Sequence, residues 1–490
     1  MSLKVAYKVI QGINLLSLWF GSSNPNVIKN RKLITLAFHS VKLTELRTLP
    51  TQVIIVKGDK RAIKGWVMYD WANSVYQLTI ASTIFPIYYN AVTRHGDDFT
   101  VTFFGHHLIN TVLYSWAIAA AYLAVALVSP LFSSIADYTG RRKTFMQVFT
   151  WIGAVSCGML YFFDSSNIEF GIIFFTLGTI GYGGSIVFYN SFLPVIVEPE
   201  DQDRISARGY SYGYLGGVIL LLFNLLMIEK PALFGIPEGS TLAARISFVT
   251  VFLWWVGFSQ ITFRRLPRYT YRKQSQHTNI ITNGYSELRI VFNQVRRSRK
   301  LSIYLTGFFF MTMGLLTVMF MAATYAEKEL GLKEDVLIPT ILVIQLVGMF
   351  GAWVFARLSG KFGNLKALMI STMVWVFVCI GAYYITDAAG FIAIAIVIGI
   401  VMGGSQSLAR STYSKMIPEQ TTDHTSFFSF YDVMEKLATV AGTFSFGIIE
   451  AITGSMRYSV LAIAIFFIVG LAFLIILINV NENEPATNAT

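Results

Sequence analysis

Three polar residues at helical spacing begin the first long apolar run of this 490-residue chain. Asp70, Asn73 and Gln77 are separated by three and four residues, so they share one face of a helix. A charged group deep in an apolar span costs roughly 2.5 to 3.5 kcal/mol on insertion scales and usually faces a partner or a wet cavity. The spacing therefore predicts that Asp70 points inward, either to carry an exchangeable proton or to pair with a basic residue.

Late apolar runs contain a second set of polar residues. Gln406 and Arg410 are four residues apart and face the same way, and Asp432 and Lys436 have the spacing of an ion pair across one helical turn. This pairing leaves Glu435 as the less obviously neutralised charge. These charges therefore have two equally good interpretations: a role in binding the solute, or a self-satisfied ion pair near the start of the helix. The predicted solute and ion pathway candidates are Tyr69, Asp70, Asn73, Gln77, Tyr189, Asn190, Gln406, Arg410, Asp432, Glu435 and Lys436.

The elements that must position these residues are membrane helices. The chain is 54% hydrophobic and only 13% charged, with a mean hydropathy of +0.57, which leaves too few charges for the surface of a soluble protein. Apolar runs of about 20 residues are long enough to cross a bilayer as helix. Twelve such runs are predicted, centred near Val75, Ala121, Ala154, Ile180, Leu220, Leu253, Met313, Gln345, Trp375, Ile398, Val440 and Phe466.

The basic residues predict the orientation of these helices. Alternate loops are rich in Lys and Arg, and residues 264–300 hold ten of them against one acid, which places these loops and the N-terminus in the cytoplasm. The net charge of +11 does not indicate nucleic-acid binding, because residues 1–64 alone supply a surplus of nine. We expect the basic loops to contact anionic lipid headgroups instead.

The two halves of the chain repeat one another. Gly140 and Lys143 match Gly363 and Lys366, and the Gly-Gly-Ser runs at Gly183 and Gly403 match at a similar offset. The sequence therefore predicts two pseudo-symmetric six-helix bundles, an arrangement that places a binding site between the halves near the membrane midplane. The predicted boundaries are 1–60 for a basic extension, 61–263 and 301–480 for the bundles, 264–300 for a basic cytoplasmic linker and 481–490 for an acidic polar tail.

Two of these segments have alternative interpretations. The basic extension is a disordered region, a targeting segment or a mis-assigned start that precedes the true protein. In the linker, Leu288, Val291, Phe292 and Val295 have the spacing of an amphipathic helix on an anionic membrane surface, with a solvated basic loop as the alternative.

The stretch SSIADYTGRRK, residues 133–143, resembles the signature loop of the major facilitator superfamily. The resemblance implies a cytoplasmic latch formed by Asp137, Gly140, Arg141 and Arg142, with Ser133 where the family usually has glycine. A glycine permits a tight turn, and an acid here can face the positive N-terminal end of a neighbouring helix such as the eleventh.

Four further stretches narrow the resemblance: GWVMYDWANSVY, RISARGYSYGYLGG, GGSQSLARS and FFSFYDVMEK. They resemble the branch that includes the autophagy-linked vacuolar amino-acid effluxer of fungi and its bacterial relatives. The resemblance implies alternating-access transport of amino acids or other small polar metabolites, coupled to a proton or ion gradient. It also implies a multi-pass protein of the plasma membrane if bacterial or the vacuolar membrane if fungal.

Other functional classes have less support. The chain lacks the glycine-rich nucleotide loop and the HExxH zinc motif, so no enzyme activity, cofactor or metal is predicted. We expect the partners to be a small-molecule solute and lipid headgroups, and the protein to be a monomer. The alternatives are a receptor or scaffold that keeps a transporter fold, and a lipid or drug exporter, which would have a more apolar and less charged cavity.

Overall fold

Helices make up almost all of the part of the chain that the structure describes. The computed structural model describes residues 57–93, 100–268 and 280–483, so most of the predicted extension, part of the linker and the last residues of the tail lie outside it. The α-helices are α1 Lys60–Val75, α2 Phe85–Thr93, α3 Asn110–Thr139, α4 Arg142–Met159, α5 Ile168–Asn190, α6 Leu193–Ile196, α7 Gln202–Glu229, α8 Leu242–Arg265, α9 Ile280–Arg297, α10 Arg299–Leu330, α11 Glu334–Phe362, α12 Asn364–Tyr384, α13 Ala388–Met416, α14 His424–Thr453 and α15 Met456–Asn483.

Ten of the described helices are long and apolar enough to cross a membrane. Two further helical stretches have the necessary length: α14, and the run of residues 60–93 that contains α1 and α2. Polar side chains such as Asp70 and Asp432 lower their hydropathy. Each of the twelve predicted centres lies in one of these helices. The predicted all-α membrane fold is confirmed, and the helices are consistent with the predicted two six-helix bundles, with α1–α8 in the N-terminal half and α10–α15 in the C-terminal half.

The first span is interrupted in its middle. A π-helical segment, Tyr76–Ile84, connects α1 to α2 and widens the turn there. The hydroxyls of Ser82 and Thr83 donate to the carbonyls of Gln77 and Leu78, five residues earlier, which stabilises the wide turn. Such segments are uncommon and occur frequently at functional sites.

One short hairpin was not predicted. Strands β1 Thr100–Phe103 and β2 His106–Ile109 pair antiparallel before α3 begins. Phe104 and Gly105 at its turn both have positive φ, at 46° and 80°, as a two-residue hairpin turn requires.

Glycines allow equivalent helices of the two halves to pack closely. A Cβ atom on Gly181 of α5 would overlap the backbone of Gly153 in α4, and one on Gly403 of α13 would overlap the carbonyl of Gly348 in α11. Small residues at such crossings are how membrane helices approach one another, because lipid provides no hydrophobic force between them.

The later part of the linker is helical. Helix α9 covers Ile280–Arg297 and turns Val291 and Val295 inward as buried residues, while Phe292 packs on Phe430 of α14 with ring centroids 5.9 Å apart. The alternative of a solvated loop is therefore wrong for residues 280–297. The apolar face of α9 is bound against the helical bundle.

The two ends of the bundle differ in charge. We call the end that carries the Gly140 turn, the Gly363 turn and α9 the basic end, because the Lys and Arg residues of the loops concentrate there. The end that carries the β-hairpin is the opposite end.

Candidate functional site

A polar cavity of about 170 Å³ lies between the two halves. Its walls come from both bundles, and it includes charged groups, amides and several tyrosine rings. The polar lining residues are Asp70, Ser74, Gln77, Tyr122, Tyr182, Asn190, Tyr210, Tyr214, Thr312, Gln345, Ser405, Gln406, Arg410, Tyr431, Glu435, Lys436 and Thr439. We call it the central cavity.

An ion pair between the halves closes the central cavity toward the basic end. The guanidinium nitrogens Nη1 and Nη2 of Arg410 in α13 each lie 3.3 Å from Oδ2 of Asp70 in α1. The hydroxyl of Tyr189 in α5 donates to the same carboxylate oxygen at 2.6 Å. Asp70 and Arg410 are 340 positions apart in sequence and both are buried, so this pair joins the halves away from water.

Further contacts hold the Arg410 guanidinium in place. Its Nε donates to the hydroxyl of Ser206 at 2.9 Å and its Nη2 donates to the Ser206 carbonyl at 2.9 Å. The rings of Trp66 and Tyr210 lie 4.7 and 4.3 Å from the guanidinium carbon, and Tyr189 stacks on Trp66. Aromatic faces stabilise a cation at these distances. Arg410 is therefore bound to the N-terminal half by charge, hydrogen bonds and ring contacts together.

The absence of a side chain at Gly209 makes room for this pair. A Cβ atom there would lie 3.0 Å from Nη2 of Arg410 and would overlap the Asp70 carboxylate. Since the carboxylate is fixed by Tyr189 and the guanidinium by Ser206, neither group can move away easily.

A second group of charges lies on α14 in the wall of the central cavity. The Lys436 ammonium is 2.7 Å from Oε1 of Glu435 and 3.2 Å from Oδ1 of Asp432. The Tyr122 ring centroid lies 5.4 Å from the ammonium. We call Asp432, Glu435 and Lys436 the α14 charge cluster. One lysine thus serves two carboxylates, whereas the spacing alone had paired it with Asp432.

The remaining candidate residues are divided between the cavity and the core. Gln77 lines the cavity, and Gln406 does so while it accepts a hydrogen bond from Tyr214 at 2.6 Å. Asn190 also lines it, with Oδ1 3.4 Å from Nη1 of Arg410. Asn73 and Tyr69 are buried outside the lining, and the Tyr69 hydroxyl bonds to that of Thr150 at 2.6 Å.

Sequence analysis missed the aromatic lining of the cavity and the role of Ser74. Ser74 follows Asp70 by four residues and takes the lining position that Asn73 was expected to hold. Tyr122 and Tyr182 lie in ordinary apolar runs, where nothing distinguishes them from core aromatic residues. Tyr210, Tyr214 and Tyr431 lie in the RISARGYSYGYLGG and FFSFYDVMEK stretches, but the sequence does not show that their side chains line a cavity.

The predicted latch residues form a contact between the halves at the basic end. Asp137 accepts hydrogen bonds from the backbone N–H groups of Thr425 and Ser426, at 3.2 and 2.7 Å, in the first turn of α14. Arg142 donates to Asp137 at 2.8 Å and also to the carbonyl of Thr422. An acid is stabilised at a helix N-terminus by the unpaired N–H groups and the helix dipole. We call this contact the Asp137 cluster.

The other two latch residues have different environments. Gly140 has a φ of 68° and ends α3 in the left-handed conformation that glycine adopts readily. Arg141 is exposed and begins the next helix without a capping bond from its side chain.

A second contact between the halves at the basic end was not predicted. Asp203 in α7 accepts from the Lys415 ammonium at 2.8 Å and from the Ser359 hydroxyl at 3.0 Å, and Asn364 donates to its other oxygen. We call this the Asp203 cluster. In both clusters the acid comes from the N-terminal half and its partners across the interface from the C-terminal half.

The structure is open toward the opposite end. A larger space of about 750 Å³ lies beyond the central cavity and shares the residues Leu78, Tyr122, Met319, Phe320, Gln345 and Thr439 with it. We call this space the vestibule. The Asp70–Arg410 pair, the Asp137 cluster and the Asp203 cluster all lie on the basic side of the cavity. Within the described residues, the contacts that close the cavity therefore lie on its basic side, and the larger space adjoins its other side.

Solved structures share this architecture. A major facilitator superfamily transporter, FucP, in its outward conformation superposes with a TM-score of 0.64 over 85% of this chain and 98% of its own, at 13% identity. The human organic anion transporter MFSD10 superposes with a TM-score of 0.65 over 86% of this chain and 100% of its own, also at 13% identity. The likeness shows that the chain has the fold of the major facilitator superfamily.

Sequence comparison identifies the family within that class. The model of the family described as "Vacuole effluxer Atg22 like" matches residues 58–487, and the chain belongs to this family. An uncharacterised MFS-type transporter, YxiO of Bacillus subtilis, is 27% identical over 84% of this chain and 93% of its own length. Autophagy-related protein 22 of Kluyveromyces lactis is 25% identical, with 84% of this chain and 92% of its own length covered. The protein is a multi-pass integral membrane transporter.

Proposed function

We propose that this transporter moves a small polar solute, an amino acid or a related metabolite, by alternating access coupled to a proton or ion gradient. The observation that carries the proposal is the central cavity itself: it lies between the halves, the contacts that close it lie on its basic side, and charged groups from both halves line it. Alternating access requires one state that is open to each side of the membrane. Solute binding can shift the balance between these two states only if the solute binds one of them more tightly.

The size of the cavity favours a small solute. Its volume of about 170 Å³ is below the range of about 300 to 1,000 Å³ that is usual for drug-sized ligands. The vestibule gives access to the cavity, and its described lining contains no Asp, Glu, Lys or Arg. Arg410 is fully engaged, so the lining groups that remain to contact a solute include the amides of Gln77, Gln345 and Gln406, the tyrosine hydroxyls, and Glu435 with Lys436.

The charges in the wall favour a zwitterionic or otherwise polar solute. Glu435 and Lys436 present opposite charges to the cavity on neighbouring positions of α14, as recognition of an ammonium and a carboxylate group would require. Such a cluster does not favour a lipid or an apolar drug, because an apolar solute takes water away from the charged groups and offers them no hydrogen bond in return. The lining therefore supports amino acids as the solute class over lipids and apolar drugs.

The charges of the loops support an orientation in the membrane, and the contacts at the basic end support a state that is closed at that end. The basic end corresponds to the cytoplasm by the excess of Lys and Arg in its loops. In that orientation the vestibule opens to the outside, or to the lumen of an organelle, and the contacts at the basic end form the cytoplasmic gate. Anionic headgroups then face α9 and its arginines, and the protein works as a monomer with one cavity.

The test is uptake of a mixed pool of amino acids and small metabolites into proteoliposomes, read by mass spectrometry. Thr439→Trp fills the central cavity, and Leu437→Trp adds the same side chain at a position that is 45% exposed on the same helix. We expect specific solutes to enter with the wild type and Leu437→Trp and to be excluded by Thr439→Trp. If no solute enters although the protein is folded, the transport of small polar solutes is refuted and a receptor or lipid-exporter role takes its place.

A further inference from the structure

We propose that Asp432 and Glu435 of α14 together hold the coupling proton, whereas Asp70 belongs to the gate and stays ionised. The inference rests on the proposed function, since it names the site through which a proton gradient would act. It concerns a binding site for one proton on a pair of carboxylates beside Lys436.

The charge balance of the α14 charge cluster carries the proposal. Two carboxylates share one ammonium, at 2.7 Å and 3.2 Å, so the cluster has a net charge of −1 when both acids are ionised. Uptake of one proton makes the cluster neutral. A net charge is expensive to bury, so the cluster binds a proton more readily than a balanced pair does.

The other charged residues of the described cavity lining are Asp70 and Arg410, which are paired with each other. Asp137 of α3 meets α14 at its first turn, and Lys328 of α10 pairs with Glu450 at its last turn. Helices α10 and α15 pack on α14, and their stretches 301–326 and 458–480 hold no Asp, Glu, Lys, Arg or His. Helices α3, α5 and α7 contribute the phenols of Tyr122, Tyr182 and Tyr210. Helix α9 meets α14 through Phe292, and its described arginines, Arg289, Arg296 and Arg297, lie toward the basic end.

The charge of Asp70, unlike that of the α14 charge cluster, is balanced by its partner. It is a single carboxylate matched by Arg410, whose guanidinium does not lose its proton in proteins, and Tyr189 donates a further hydrogen bond. Protonation of Asp70 would leave a buried guanidinium without its counter-ion, which is strongly unfavourable. The pair is therefore stable as an ion pair and unsuited to exchange a proton while the gate is closed.

The position of the cluster gives the proton an entry path. The Glu435 side chain is 31% exposed and lines the central cavity, which is continuous with the vestibule. Asp432 lies beneath it with only 4% of its side chain exposed, and its Oδ2 has no hydrogen-bond partner among the described residues. We infer that the proton arrives at Glu435 and is shared with Asp432, whose free oxygen can accept or donate the hydrogen bond.

A proton suits this cluster better than a metal cation. The Lys436 ammonium already lies against both carboxylates, where a cation bound by them would have to lie. The described residues also contain no group of three or more His, Cys, Asp or Glu side chains that could hold a metal ion.

The test is a pH titration of the protein in liposomes followed by infrared difference spectroscopy, which detects the C=O stretch of a protonated carboxyl group without any solute. We expect the wild type to gain one such band as the pH falls. Asp432→Asn and Glu435→Gln should each lose it, because either change leaves a balanced acid–lysine pair. Lys436→Met should keep the band to higher pH, and Asp70→Asn should leave it unchanged.

Two outcomes would overturn the proposal. One is a band that survives in both Asp432→Asn and Glu435→Gln; the other is a band that disappears in Asp70→Asn while the protein remains folded by circular dichroism. If sodium chloride in place of choline chloride shifts the titration as a competing ligand does, the site is a cation site and the assignment to a proton is wrong. The readout does not depend on transport, so a protein that binds the proton but moves no solute would refute the proposed function alone.

Discussion

Replacing Asp70 by asparagine tests the gate most simply, because it removes one charge and keeps the shape of the side chain. In the closed state the substitution leaves the Arg410 guanidinium buried without a counter-ion, and breaking a buried pair in this way costs about 3 to 5 kcal/mol. The bonds from Arg410 to Ser206 and its ring contacts remain and offset part of that cost. We therefore expect the closed state to lose about 2 to 3 kcal/mol relative to the state open at the basic end, a change of about 30- to 150-fold in their ratio.

The assay is a distance measurement between spin labels on the two halves at the basic end. Glu200 in the N-terminal half and Gln420 in the C-terminal half are both exposed and suit this purpose, after the two buried free cysteines, Cys157 and Cys379, have been replaced by alanine. Double electron–electron resonance then gives the populations of short and long separations. Asp70→Asn should move population from the short to the long distance.

A matched control separates the gate from a general loss of stability. Glu329→Gln removes an acid from an ion pair with Arg457, 3.4 Å apart, that lies within the C-terminal half at the opposite end. It should leave the distance distribution unchanged. If Asp70→Asn gives the same distribution as the wild type, the pair does not hold the basic end closed and the reasoning is refuted.

Three further predictions follow from contacts at the basic end. Asp137→Asn weakens its bonds to the first turn of α14 by about 1.5 to 3 kcal/mol, so the same spin-label distances should lengthen, and unchanged distances would contradict the latch. Gly209→Ala pushes a methyl group against the Asp70 carboxylate and should open the gate without any change of charge; a closed gate in this variant would show that the pair adapts. Val291→Asp places a charge in the buried face of α9 and should lower the thermal unfolding midpoint, while an exposed-face Ile290→Asp should lower it less.

The membrane helices could be predicted because a bilayer requires long apolar runs and little else. The interruption at Tyr76–Ile84 could not, because a π-helical turn changes the register by one residue without a distinct composition. The hairpin before α3 was also missed, since its strands are only four residues long. For α9 the spacing of Val291 and Val295 indicated a helix, but nothing in the sequence distinguished packing on the bundle from a free loop.

The charged residues of the site could be selected from the sequence, but their partners could not. Asp70 and Arg410 both attract notice as charges within apolar runs, yet their separation of 340 positions gives no information on contact. Residues three and four positions after Asp70 flank it on either side of one helix face, so the sequence cannot decide between Asn73 and Ser74. Asp203 was missed because an acid near a helix start is common on ordinary protein surfaces.

Accumulation of a transported solute against its own concentration gradient tests the account most directly. The measurement loads proteoliposomes with the solute at the external concentration and follows its internal amount with and without an imposed pH gradient. The account predicts accumulation with the gradient, simple equilibration without it, and loss of the difference in Glu435→Gln. Equal internal amounts in both conditions for the wild type, while the solute still crosses the membrane, would contradict proton-coupled transport.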